Sequence, residues 1–148
     1  MQAPPAFSSA IQTPSRAVLP NGQLKFVIYR RDSATSGADR AEVRVVARIM
    51  QEMGFDAAGK PTKKKVDDTW VMRNISIPFR VAPRRDNPDM YEVVGETSES
   101  VLTPGRYALV LKGQAYDFTV AGDISDPRQC LERMAAANGQ FYSACPKP

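Results

Sequence analysis

The chain has 148 residues, a formal net charge of +4 and no histidine, a size that supports one hydrophobic core without metal or extra crosslinks. Without histidine there is no Ser/His/Asp or Cys/His nucleophile system, no histidine-rich metal site and no use of the commonest general base. Walker, GxGxxG and GxSxG motifs are also absent, so no catalytic residue, no metal site and no cofactor is expected, and the chain reads as a non-enzyme.

Residues 1–17, with Pro4, Pro5, Pro14 and Ser8-Ser9, read as an extended lead-in, followed by one domain over 18–148. Asn21-Gly22 between Ala17-Val18-Leu19 and Leu24–Tyr29 predicts a hairpin, since Leu24, Phe26 and Ile28 alternate with polar Lys25. Ser33 to Gly37 is a polar loop. Residues 41–53 fit two periods. As a strand they line up Val43, Val45, Ala47 and Ile49; as a helix, Val43, Val46, Ala47, Met50 and Met53. β-Branched content and β neighbours favour the strand.

Phe55 to Lys65, with Gly54, Gly59 and Pro61 around it, reads as a loop crowded by Lys60, Lys63, Lys64 and Lys65. Asp67-Asp68 are turn or strand-entry residues, because neighbouring strand side chains point to opposite faces and cannot grip one atom together. Trp70 to Val81 reads as a strand with Val71, Ile75, Ile77, Phe79 and Val81 on one parity, and Pro78 marks an edge or bulge. Trp70 is a candidate for ligand stacking, although a lone tryptophan opening a strand is more often a packing or sandwich-edge anchor. Met50, Met53 and Met72 read as adaptable packing. Met90 to Val94 is a further short strand.

Pro104-Gly105 predicts a type II turn into Arg106–Lys112, where Tyr107, Leu109 and Leu111 alternate. Tyr116, Phe118 and Val120 repeat the pattern after a tight Gly113-Gln114 turn, with Tyr107 and Tyr116 facing the core. Asp126 as cap, Pro127 at the first position, Gln129 closing a capping box and Asn138-Gly139 as terminator predict a helix. Cys130 opens that segment and Cys145 follows it. The pair is read as a disulfide that would contribute about 3 kcal/mol in the chain-entropy model; two buried free thiols are the alternative. A disulfide implies an oxidising compartment. The fold class that follows is mainly β, an immunoglobulin-like antiparallel β-sandwich with one short C-terminal helix.

No run approaches the roughly 20 apolar residues of a membrane-spanning helix, and no apolar signal core stands at the amino end, so an exported form implies a signal already removed. Charge is uneven: residues 1–85 hold fifteen basic and seven acidic side chains, residues 86–148 five and nine. Lys60, Lys63, Lys64 and Lys65 could attract a polyanion. No aromatic residues interleave them to stack bases, so no specific nucleic acid is expected.

The run Thr103–Leu111, the run Gln114–Gly122 and the Cys130 to Cys145 tail, together with Phe55–Pro61 and Asn74–Val81, resemble uncharacterised exported β-sandwich proteins of Gram-negative bacteria. The resemblance implies a periplasmic or secreted location and brings no known ligand or catalytic residue. The expected function is that of a non-enzymatic accessory, subunit or protein-binding module of the cell envelope, touching another envelope or secreted protein through a sheet edge. The alternative is a carbohydrate or polyanion binder using the basic segment 60–65.

Overall fold

The computed structural model of the chain describes residues 10–11, 15–29, 41–66, 69–87, 89–111, 114–136 and 139–146. They are mainly β. In chain order the strands are β1 (Ala10–Ile11), β2 (Val18–Leu19), β3 (Lys25–Tyr29), β4 (Ala41–Phe55), β5 (Pro61–Lys65) and β6 (Trp70–Ile77). Then come β7 (Phe79–Pro83), β8 (Met90–Gly95), β9 (Gly105–Leu111), β10 (Gln114–Val120), β11 (Cys130–Ala136) and β12 (Gly139–Ala144). Helical structure among the described residues is limited to 3-10 turns at Ser98–Ser100 and Pro127–Gln129.

Two sheets share one core. The larger runs β1-β6-β4-β9-β10-β2, with β5 and the β11–β12 pair attached through β4; the smaller is β3-β8-β7. Val43, Val45, Tyr107, Leu109, Phe118 and Val120 from the larger sheet meet Val93 of the smaller, with Phe26, Ile28, Phe79 and Val81 packed against them. Phe26 is edge-on to Phe118 at 5.2 Å between ring centroids, and Tyr107 stacks on Phe118 at 6.0 Å. The period-two apolar pattern of these segments produces this face, since only alternate side chains of a strand reach the facing sheet.

Residues 41–53 lie in β4, so the strand period prevails. β9 and β10 form the expected antiparallel pair, with Tyr107 opposite Phe118 and Leu111 opposite Gln114; Gln114 belongs to the strand, and Gly113 lies outside the described residues. Ser33–Gly37, Asp67-Asp68 and Asn138 also lie outside them. Within the lead-in, Ala10 and Ile11 pair with Val71 and Trp70.

Five expectations are corrected. The capped helix does not form. Asp126 does cap, accepting from the Arg128 N–H at 2.9 Å, but only the turn Pro127–Gln129 follows before the chain extends as β11. The tertiary environment decides this: the Gln129 side chain is buried, accepting from the Arg106 N–H (2.9 Å) and donating to the Arg106 carbonyl (3.0 Å). β11 then runs parallel along β4, from Cys130 opposite Arg48 to Met134 opposite Met53.

Asn21-Gly22 does not join a hairpin. β2 pairs in parallel with β10 in the larger sheet and β3 pairs with β8 in the smaller, so the dipeptide is a crossing between sheets. Gly22 is required there by close approach, because its carbonyl accepts from the Leu102 N–H at 2.9 Å. A Cβ on Gly22 would lie 1.6 Å from the Leu102 carbonyl oxygen.

The Trp70–Val81 segment is two strands in different sheets. Pro78 breaks it, and its freed carbonyl accepts from the Ser100 hydroxyl and the Glu96 N–H (3.2 Å). The 55–65 segment is a loop only over 56–60, where Asp56 Oδ1 accepts from the N–H groups of Ala58 and Lys60 at 2.9 Å each. Gly59 closes that turn with φ +81°, and 61–65 returns as β5. Tyr116 does not face the core: it is 53% exposed, whereas Tyr107 is completely buried.

Candidate functional site

The length of β4 creates the most distinctive surface. Fifteen extended residues reach roughly 50 Å. The first half, 41–48, is flanked by β6 and β9; the second half, 48–55, is flanked by β5 on one side and β11 on the other. The second half therefore carries its own four-stranded arm in the order β5-β4-β11-β12. Its rows are set by register: Lys64, Glu52, Arg133 and Tyr142 lie across one row, and Lys63, Met53, Met134 and Phe141 across the next.

The disulfide closes the base of this arm. Cys130 and Cys145 are bonded with 5.6 Å between their Cα atoms, and the Cys145 N–H donates to the Cys130 carbonyl at 3.4 Å. The crosslink thus joins two neighbouring strands. Inside the arm, Arg133 Nε meets Glu52 Oε2 at 2.8 Å and Gln51 donates to Glu132, so its charged groups are matched strand to strand.

The two outer strands differ in chemistry. β5 is exposed along its whole length and carries Lys63, Lys64 and Lys65, while Lys60 sits in the preceding turn. Neighbouring strand residues point to opposite faces, so Lys63 and Lys65 share one face, and Lys64 stands on the other, opposite Glu52. The structure brings the four lysines to one edge but does not converge them on one point. Lysines on a free edge are a common device against unwanted strand pairing.

β12, Gly139-Gln140-Phe141-Tyr142-Ser143-Ala144, is exposed at every position but Tyr142 and carries no charge. Beside it opens a groove of about 390 Å³ that it shares with Leu131 and with Arg73, Asn74 and Ile75 of β6. A second groove of about 580 Å³ lies over the disulfide, with Pro127, Pro146 and the 61% exposed Ile124. The expected helix ends at Asn138-Gly139, so no strand is anticipated over 141–145. The signals that identify the strand are Gly139, with φ +143° at its start, and the uncharged aromatic pair Phe141-Tyr142.

Trp70 is half-buried, opposite Arg48, and packs on the cluster of Val46, Met72 and Ala108. The Arg106 guanidinium lies 5.3 Å from the centroid of its ring, and Arg106 pairs with Asp117 at 2.9 Å. One ring face is therefore covered by a cation. Asp117 also accepts from the Ser15 N–H at 2.8 Å, which ties the lead-in to this outer face.

Among the described residues Asp126 is the carboxylate shifted furthest from its ordinary pKa. Hydrogen bonds from Arg128 outweigh burial, with Thr103 Oγ1 donating at 2.7 Å, and hold its pKa at about 2. Among the described residues no three or more Asp, Glu, His or Cys side chains come together as a metal site, and no helix is long and apolar enough to cross a membrane. No protein-family model, no curated protein and no solved structure matches this chain.

Proposed function

We propose that the chain is an exported, non-enzymatic immunoglobulin-like β-sandwich that acts by protein contact, as an accessory or subunit of an envelope assembly, through the free edge of β12. The sandwich reading is supported by strand order: β3-β8-β7 correspond to strands B, E and D, and β6-β4-β9-β10 to C′, C, F and G. Tyr107 adds local support. It stands near the start of β9, and its hydroxyl donates to the Thr103 carbonyl at 2.7 Å, the tyrosine-corner arrangement of such domains.

The β11–β12 hairpin lies outside that plan. It follows the last framework strand, is attached to β4 by the pairing of β11, and has its two strands joined by the disulfide, a bond that persists in an oxidising compartment. The observation that carries the reading is that this fastened hairpin leaves an exposed, uncharged strand edge, the feature that strand addition uses.

Crosslinking in the native host tests it. A photo-reactive residue in place of Gln140 is expected to crosslink to protein, and Ala144→Pro in the same chain is expected to abolish the product. Ala144 is exposed, and proline is tolerated at an edge position whose N–H faces outward. No protein adduct at 140, or one indifferent to Ala144→Pro, overturns the proposal.

A further inference from the structure

The open edge of β12 is complementary to itself. Because the Cys145 N–H points at Cys130, antiparallel alternation turns the backbone N–H and C=O of Gln140, Tyr142 and Ala144 away from β11. A second β12 laid antiparallel about a two-fold axis through Tyr142 sets Gln140 of each copy opposite Ala144 of the other. Every outward group then meets a partner, giving about six backbone hydrogen bonds.

Charge and aromatic placement agree with that geometry. Gly139–Ala144 has no charged residue, so no like charges meet across the axis, whereas the same operation on β5 would set lysine against lysine. Phe141, 53% exposed on the single chain, would lie diagonal to its copy at roughly 7–8 Å, within reach of an aromatic ring. Tyr142 would face Tyr142 on the other side of the sheet.

We infer that the strand β12 receives is β12 of a second copy of this chain, which makes one continuous eight-stranded sheet from the two arms. This rests on reading β12 as the contact edge. The two β5 strands then lie at the far ends, roughly 33 Å apart, several Debye lengths at physiological salt, so their lysines do not oppose association.

Sedimentation velocity on the purified, oxidised full chain tests the inference. The expected result is a concentration-dependent species of twice the monomer mass, insensitive to salt. Phe141→Lys places like charges diagonally across the axis, and Ala144→Pro removes an outward donor from each copy. Each is expected to raise the dimer dissociation constant at least about tenfold with the far-ultraviolet circular dichroism unchanged. A monomer at every concentration, or a dimer that both variants leave intact, overturns the inference. If the pure chain is monomeric while residue 140 crosslinks to a different protein in the host, self-pairing fails and the proposed protein contact stands.

Discussion

Gly22 and Asp126 show how single residues are held by neighbours distant in sequence. Gly22 was legible as a turn residue, but its reason is contact with the Leu102 backbone, which no local pattern encodes. Gly22→Ala cannot be absorbed by a side-chain rotation, since the obstructing atoms are main chain. It is expected to cost more than about 3 kcal/mol, read from the midpoint of urea unfolding. Asp126 was legible as a cap, and its ion pair with Arg128 (2.7 Å) adds a pH dependence. Its folded pKa, about 2, lies below its ordinary 3.8. The stabilisation is therefore complete above the unfolded value and lost as pH falls through the folded one. Asp126→Asn should lack this component. The stability difference between the two proteins is expected to shrink between roughly pH 5 and pH 2, by about 1 kcal/mol after solvent screening of the exposed Arg128 partner, measured by unfolding at each pH.

At the scale of elements, the helix expected over 126–138 illustrates a conflict between local and tertiary preference. Every start signal was real, and Asp126 and Pro127 do begin a turn. After one turn, the burial of Gln129 against Arg106 and the pairing of β11 with β4 satisfy more backbone groups than an isolated helix would. The bond expected between Cys130 and Cys145 is present, although the element it closes is a hairpin and not the expected helix. Cys130→Ser with Cys145→Ser is expected to lower stability by about 3 kcal/mol, and the added hydrogen exchange should concentrate in β11 and β12, the strands the bond joins. Equal protection of those strands in the variant and the native protein would assign the bond no part in holding the arm.

At the scale of the whole molecule, two strand edges of opposite character, unpaired among the described residues, stand at the ends of one arm, lysine-rich β5 and uncharged β12. The basic excess of residues 1–85 reaches the surface in part through β5, where alternation divides Lys63 and Lys65 from Lys64. A flat polyanion therefore meets two of these lysines on one face. Binding to a sulfated polysaccharide is expected to be weak, to fall steeply with ionic strength and to be abolished by Lys63→Glu with Lys65→Glu; a site that survives both changes would place polyanion recognition elsewhere. The sequence by itself determined the mainly β character and the inward faces of β3 and β9, because alternation in a strand is local and each apolar side chain must leave water. Only the tertiary structure decided that Pro78 and Asn21-Gly22 carry the chain between sheets, that 130–136 extends beside β4, and that β12, among the described residues, pairs with β11 alone. Those outcomes depend on which backbone groups find partners across long sequence separations, and period and propensity carry no information about that choice.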